Sequence, residues 1–220
     1  MEADAAFVAA MEDVLAVYQR PPDPARPVVC FDESGKELRD HARPVVPPRP
    51  GQPQRVDSEY RRQGSSNLFL WTAPLLGRRA VWATERRTAV DFAQAMRRLV
   101  EEDFPEAEMI VLVLDNLNTH SKAALYQAYP AEVARRIAAK LEVHYTPKHG
   151  SWLNIAECEL SVLSRQCLDR RIASGAELET EVAAWAAARN ARQIGVDWQF
   201  TTADSRVRLK RLYPIPVYDK

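Results

Sequence analysis

Four acidic residues lie where a predicted strand ends or where a predicted helix begins. Asp32 follows a short run of β-branched and aromatic residues, Asp115 follows six aliphatic residues, and Glu157 and Glu159 lie in a predicted helix. Clustered carboxylates repel one another and raise each other's pKa, so such a cluster is tolerated chiefly where it binds divalent cations. We therefore expect a metal site formed by Asp32, Asp115 and one of the two glutamates.

The expected ligands are hard oxygen atoms, which favour Mg²⁺ or Mn²⁺. Two such ions, about 3.5 to 4 Å apart, can activate a water or hydroxyl group and stabilise the leaving oxygen of a phosphodiester. The dense polar sequence after Asp115, with Asn116, Asn118, Thr119 and His120, favours a functional site there. The simpler alternative is that an Asp after a strand only forms a turn.

The elements that position these residues alternate between strand and helix. Hydrophobic periodicity and turn signals predict strands over Val28–Phe31, Leu68–Leu76, Arg79–Thr84, Met109–Leu114 and Val143–Thr146. Helices are predicted over Ala5–Tyr18, from Thr88 to about Glu102, from Ser121 to Leu141 with an interruption at Pro130, after a Ser151 cap, and over Leu178–Arg192. The order β-β-β-α-β-α-β-α predicts an α/β fold with a mixed five-stranded sheet flanked by helices. The carboxyl ends of its strands would bring Asp32 and Asp115 together.

Composition narrows the class of protein. The 220 residues include 30 Lys and Arg against 30 Asp and Glu, so total charge does not predict nucleic-acid binding, although local patches remain possible. The three cysteines have no CxxC spacing, so we expect reduced thiols in a core rather than disulfides or a zinc site. No apolar run approaches the ~20 residues of a membrane span, and the acidic start does not resemble a signal peptide. We therefore expect a cytoplasmic protein.

Four segments carry a resemblance to a known family. They are FDESG, LVLDNLNTH, HYTPKHGSWLNIAECELSVLSRQCL and DWQFTTADSRVRLKRLYP, at residues 31–35, 112–120, 144–168 and 197–214. Together they resemble DDE transposases of bacterial insertion sequences, specifically the insertion sequence six-thirty family, which are relatives of mariner transposons. The resemblance covers most of the chain from about Val28 onward. It implies a ribonuclease H-like fold and a catalytic domain that cleaves DNA at transposon ends and transfers the strand into target DNA.

The resemblance also indicates which of the two glutamates is the third acid of the site. Asp32, Asp115 and Glu157 match the acidic triad of the family, which binds two Mg²⁺ or Mn²⁺ ions, and Glu157 closes the block SWLNIAE. Helical periodicity adds the expectation that Glu157 borders buried residues while Glu159 faces solvent. Two alternatives remain: a catalytically silent remnant that binds DNA or a partner, and a ribonuclease H-like nuclease or resolvase.

Several further residues are predicted to support the site or to contact DNA. Asn116 and His120 would donate to or orient a phosphate or a metal ligand. Lys148 and His149 precede the N-terminus of the catalytic helix, where a phosphate is favoured. Trp152 is expected to be a packing anchor rather than a platform for base stacking.

We predict three parts: a leading helix and linker at 1–27, a catalytic domain at 28–195, and a C-terminal tail at 196–220. An irregular basic insertion at 39–64 is predicted to contact DNA or a second subunit; a solvated loop is its alternative. The candidate DNA contacts in it are Arg49, Arg55, Arg61 and Arg62. Only about 27 residues precede the first strand, which is too short for the helix-turn-helix modules of relatives. Three alternatives follow: the second reading frame of a split gene, a truncated copy, or a catalytic domain whose helix-turn-helix recognition part is a separate polypeptide. We expect a homodimer because transposition involves two ends.

Overall fold

The computed structural model describes residues 4–215, in which one mixed sheet has the strand order β3-β2-β1-β4-β5. The strands are β1 Val28–His41, β2 Tyr60–Ala73, β3 Arg78–Thr84, β4 Ile110–Leu114 and β5 Leu141–Tyr145. The first three strands pair antiparallel in chain order, whereas β4 runs parallel to both β1 and β5. The predicted mixed five-stranded sheet is therefore confirmed.

Helices cover both faces of this sheet. They are α1 Ala5–Tyr18, α2 Ala89–Arg98, α3 Lys122–Ala128, α4 Ala131–Ala139, α5 Ile155–Leu163, α6 Gly175–Ala191 and α7 Thr202–Arg208. On one face α1, α5 and α6 pack on Cys30 and Val113; on the other, α2, α3 and α4 pack on Phe31 and Leu112. All five residues of β4 are buried, as expected for a central strand that is covered on both faces.

Local signals explain the helix boundaries. Thr88 accepts a hydrogen bond from the backbone of Asp91, whose carboxylate accepts one from the Thr88 backbone, so a capping box starts α2 as predicted. Pro130 separates α3 from α4 because it has no N–H to donate within a helix. The prediction that Ser151 caps the next helix is wrong. Residues Ser151–Leu153 form a single 3₁₀ turn, and Asn154 caps α5 instead.

Strand β1 is much longer than predicted. It continues ten residues past Phe31 and pairs with β2 as far as His41 and Tyr60, so residues 39–41 and 60–64 of the predicted irregular insertion belong to strands. Only the middle of the insertion is irregular, and it carries two isolated bridges, Val46 with Arg55 and Arg49 with Gln52. The extension is largely polar and half-buried, and Leu38 is its one buried apolar residue. Backbone pairing of a hairpin therefore forms it without the hydrophobic alternation that marks a half-buried strand.

Helices α1 and α7 pack against each other, and α1 also packs on the sheet. Met11 and Leu15 of α1 have no exposed surface, and Glu12 pairs with Arg206 of α7. The predicted segments 1–27 and 196–220 extend beyond the described residues at 1–3 and at 216–220. Between residues 4 and 215, no helix combines the length and the apolar character needed to cross a membrane.

The cysteines only partly follow expectation. All three are free thiols; Cys30 and Cys167 are buried, as predicted, whereas Cys158 is exposed. Cys158 lies in α5 on the side of the helix that faces away from the core, so a core position for all three thiols is wrong.

Candidate active site

Asp32 and Asp115 lie side by side where β1 and β4 stop pairing. The parallel ladder ends at Cys30 and Val113, two residues before each acid. Because side chains alternate between the faces of a sheet, both acids continue the face of Cys30 and Val113, on which α5 packs. The sequence suggested that Asp32 ends its strand, but it does not. It lies inside β1, two residues after the last pair with β4.

Glu157 approaches this pair from the first turn of α5. It is exposed, and it is one of the charges that act on Asp32, together with Asp115 and Glu33. Strands β1 and β4 and helix α5 thus bring three acids from distant parts of the sequence to one edge of the sheet.

Helical periodicity predicted that Glu157 borders buried residues and that Glu159 faces solvent, but the structure shows the reverse. Glu159 is 2% exposed and accepts hydrogen bonds from Arg79 Nε at 2.8 Å and from Arg189 Nη2 at 3.0 Å. Periodicity within α5 could not reveal this, because a buried ion pair with β3 and α6 depends on residues far away in sequence. Glu159 is therefore committed to the structure, and the open carboxylate is that of Glu157.

Asp32 is buried without a cationic partner. Its Oδ1 accepts a hydrogen bond from the backbone N–H of Glu33 at 2.8 Å, and Nδ2 of Asn154 lies 3.3 Å from its Oδ2. Burial is the main cause that raises the pKa of Asp32 to about 7, and the charges of Asp115 and Glu157 raise it further. Among residues 4–215, no Lys, Arg or His forms a salt bridge with Asp32 or Glu157. A positive charge at this edge would therefore stabilise both ionised acids.

His120 is more deeply buried than any surface or turn role would require. It is 2% exposed, its Nδ1 contacts Oδ1 of Asp115, and its Nε2 lies 2.8 Å from Oε2 of Glu33. Burial alone would lower the pKa of His120, but its two acidic partners outweigh burial and raise it to about 9. Its ring also packs against Phe92, with centroids 4.8 Å apart. His120 thus carries a positive charge that holds Asp115 in place.

Three acidic side chains make up the candidate metal site. All three candidate ligands are carboxylates, the donors that Mg²⁺ and Mn²⁺ prefer, and Asp32 lacks a cationic partner, so the residues present fit such an ion. Within the part of the chain that the structure describes, no three His, Cys, Asp or Glu side chains form one closed ligand cluster. The three acids therefore act on one another electrostatically, but their carboxylates do not converge on one point.

A pocket of about 350 Å³ opens beside Asp115. We call it the Asp115 pocket; its wall includes Asn116, Lys148, His149 and Ser151. Lys148 and His149 are exposed, and His149 adopts a positive φ of 64°. We expected them to adjoin the first turn of α5, but they do not, because the 3₁₀ turn lies in between. The structure nevertheless brings these two basic residues to the same pocket as Asp115.

The candidate arginines of the insertion do not join this group of residues. Arg49 and Arg55 take part in the two isolated bridges, Arg61 and Arg62 lie in β2, and all four are exposed. Arg62 contacts Glu37 on β1 over 2.6 Å. They form a basic arm that continues the β1–β2 hairpin away from the acids.

Sequence reasoning missed two residues of the site, Glu33 and Asn154. Glu33 follows Asp32, but alternation along β1 turns it to the opposite face, where it meets His120. Asn154 is fully buried and contacts both Asp32 and the carbonyl of Phe31 while it caps α5. Asn is a preferred cap residue, so the signal for Asn154 was present in the sequence.

The fold is similar to that of a mariner transposase. The Mos1 mariner paired-end complex with Mn is 19% identical, with a TM-score of 0.56, over 88% of this chain and 60% of that one. The Mos1 strand transfer complex is 17% identical, with a TM-score of 0.59, over 94% of this chain and 59% of that one. The Mos1 paired-end complex with the left transposon end is 18% identical, with a TM-score of 0.58, over 96% of this chain and 63% of that one. The chain thus spans about three fifths of these proteins, and the likeness confirms the ribonuclease H-like fold.

Sequence comparison places the chain in a family. No curated protein matches it significantly. The family model described as DDE superfamily endonuclease matches residues 27–179, a segment that contains Asp32, Asp115 and Glu157. This match covers most of the chain, from β1 into α6. The chain belongs to the DDE superfamily endonucleases.

Proposed function

We propose that this chain is the catalytic domain of a transposase of the insertion sequence six-thirty type, which cleaves DNA at transposon ends and joins the freed end to target DNA. The observation that carries the proposal is the gathering of Asp32, Asp115 and Glu157 at one sheet edge, within a segment that matches the DDE superfamily endonucleases. The likeness to Mos1 assemblies with transposon ends and in strand transfer supports it.

We infer that Asp32, Asp115 and Glu157 hold two Mg²⁺ or Mn²⁺ ions. Bound there, the ions would supply activation of a water or hydroxyl nucleophile and stabilisation of the leaving oxygen. Asn154 holds Asp32 from the cap of α5, and His120 holds Asp115 from the opposite face. Glu157, which is exposed on α5, is free to complete the site. No residue of this chain is then needed as the general base.

The proposed reaction uses the same displacement twice. In cleavage the water oxygen bonds to phosphorus while the bond from phosphorus to the 3′ oxygen breaks, which leaves a 5′ phosphate and a 3′ hydroxyl. In joining, that 3′ oxygen bonds to a phosphorus of target DNA and displaces another 3′ oxygen. Lys148 and His149, which line the pocket beside Asp115, are placed to bind a DNA phosphate near the reacting group.

The proposal includes the partners of the domain. DNA is the substrate, and Arg49, Arg55, Arg61 and Arg62 on the extended hairpin are exposed charges that could follow a DNA backbone. Two-ended transposition calls for a homodimer. We propose that end recognition resides in a helix-turn-helix module, on a separate polypeptide, and that the protein acts in the bacterial cytoplasm.

The decisive variant is Asp115→Asn. With a supercoiled plasmid that carries the DNA flanking the gene, wild type is expected to nick in Mg²⁺ or Mn²⁺ and not in EDTA, whereas the variant loses at least about 100-fold in rate, since a metal ligand is removed. Glu132→Gln, which changes an exposed glutamate on α4, is the matched control and is expected to cleave at the wild-type rate.

A pre-cleaved transposon end then distinguishes a transposase from a nuclease or resolvase. Joining of its 3′ hydroxyl to plasmid DNA supports a transposase, whereas nicking without any joined product would identify a nuclease or resolvase. Full activity of Asp115→Asn would contradict the proposed catalytic function, as would a folded wild-type chain that neither nicks nor joins DNA with the recognition polypeptide present.

A further inference from the structure

Trp152 is not the packing anchor that the sequence predicts. It is 44% exposed, and its ring meets that of Phe200 nearly at right angles, at 71°, with centroids 6.0 Å apart. Burial of a Trp stabilises a fold strongly, so an indole left nearly half exposed on a 3₁₀ turn calls for an explanation.

The indole lines a pocket of about 280 Å³ between the start of α1 and residues 208–212. We call it the tail pocket; it is lined by Phe7, Trp152, Arg208, Leu209, Arg211 and Leu212. Its wall therefore combines aromatic and aliphatic surface with two guanidinium groups. A volume of this size suits one planar ring system and is too small for a double helix or a protein helix.

The charges of the tail pocket are available to a ligand. Arg206 is engaged by Glu12, but Arg208 and Arg211 are exposed and form no salt bridge within residues 4–215. Lys210 is exposed between them. Asp204, one turn before Arg208, partly offsets its charge, but Arg208, Lys210 and Arg211 leave the local charge positive. A positive surface is complementary to a polyanion and unfavourable for a purely apolar protein contact.

The tail pocket adjoins the proposed active site through one short turn. Trp152 lies in the 3₁₀ turn Ser151–Leu153, and Ser151 lines the Asp115 pocket. Two residues beyond Trp152, Asn154 contacts Asp32. The two pockets therefore flank the same turn, and a strand that passes over it would meet Arg208 and Trp152 on one side and Lys148 and Asp115 on the other.

We propose that the tail pocket binds an unpaired base of a single DNA strand whose backbone continues into the Asp115 pocket. The indole of Trp152 would stack on the base, while Arg208 and Arg211 bind its phosphates. An aromatic platform inside a basic groove is the usual means of binding single strands without base specificity. The inference rests on the proposed function only in taking DNA as the substrate. It adds a site that frays the end or holds an unpaired flap beside the reacting phosphate.

The test measures binding of a fluorescein-labelled oligothymidylate by anisotropy, in EDTA and at fixed salt. Stacking contributes about 1–3 kcal/mol per base, so Trp152→Ala is expected to weaken binding about 5-fold to 150-fold. Trp152→Phe keeps an aromatic ring and is expected to stay within a few-fold of wild type. Arg208→Ala should lower the slope of log affinity against log salt by about 0.7, whereas Arg86→Ala, an exposed arginine elsewhere, should leave affinity unchanged.

Two outcomes would overturn this inference. One is unchanged oligonucleotide affinity in Trp152→Ala; the other is equal loss in the Ala and Phe variants, which would mean that stacking is not involved. If Trp152→Ala instead converts a dimer to a monomer at unchanged DNA affinity, the surface is a protein contact and the proposal is wrong. Because binding is measured without metal, these results are independent of the Asp115→Asn cleavage test, and either proposal can fail alone.

Discussion

Asn154 caps helix α5 and at the same time places its side-chain nitrogen 3.3 Å from a carboxylate oxygen of Asp32. The same nitrogen donates to the carbonyl of Phe31 at 3.0 Å, and Oδ1 accepts from the backbone of Ala156. One buried amide therefore couples the start of the helix that carries Glu157 to the strand that carries Asp32. The separation of the two acids depends on this residue.

Replacement of Asn154 by Ala is expected to affect both stability and the site. Loss of the cap costs about 1 kcal/mol, and the buried carbonyl of Phe31 loses its donor, so the free energy of unfolding should fall by about 1–3 kcal/mol in urea titrations. Ser174→Ala removes the cap of α6, which touches no acid of the site. At equal folded fraction, Asn154→Ala should bind Mn²⁺ more weakly by calorimetry than Ser174→Ala; equal affinities would contradict the coupling.

Glu157 and Glu159 should respond in opposite ways to substitution by Gln. Glu159→Gln leaves Arg79, whose side chain is 1% exposed, without its counter-charge, and breaking a buried ion pair costs about 3–5 kcal/mol. Glu157 is exposed, so Glu157→Gln should change the free energy of unfolding by less than about 0.5 kcal/mol. Denaturant curves measure both. A stable Glu159→Gln beside a strongly destabilised Glu157→Gln would refute the structural assignment of the two residues.

His120 and Glu33 should be energetically coupled. Their facing atoms lie 2.8 Å apart, with side chains only 1% and 4% exposed. His120→Ala therefore leaves Glu33 buried without a cationic partner, and Glu33→Gln removes one of the two acids that pair with His120. A double-mutant cycle of His120→Ala and Glu33→Gln is expected to give an interaction energy of about 1–3 kcal/mol. The same cycle with Glu132→Gln in place of Glu33→Gln should be additive within about 0.5 kcal/mol. Additivity in both cycles would mean that the bridge does not form.

Glu142 should make stability depend on acid pH. Hydrogen bonds from Arg20, then His144 and Arg26, lower the pKa of Glu142 from 4.5 to about 2. A carboxylate with a depressed pKa stabilises the folded state above its unfolded pKa, and this contribution is lost as the pH falls from about 4.5 toward 2. Glu142→Gln should thus melt below wild type at pH 7, and the difference in Tm should shrink by pH 3. A constant difference across that range would exclude the linkage.

The elements whose sequence carries its own signal were predicted well. The aliphatic run before Asp115 became the central strand β4, and Thr88 and Pro130 set helix boundaries through local hydrogen bonding and the missing proline N–H. Such features depend on residues a few positions apart. The extension of β1 to His41 was missed because its stability comes from pairing with β2, and its largely polar residues show no hydrophobic periodicity.

What the sequence determined by itself was the order of strands and helices, and with it the meeting of Asp32 and Asp115, because the carboxyl ends of adjacent parallel strands share an edge. The tertiary structure alone decided which glutamate is free. Arg79 and Arg189, from β3 and α6, bury Glu159, and α5 is thereby oriented with Glu157 exposed. The tertiary structure also decided that Glu33 and Asn154 belong to the site. Ion pairs and buried hydrogen bonds form between residues far apart in sequence, so helical or strand periodicity contains no information about them.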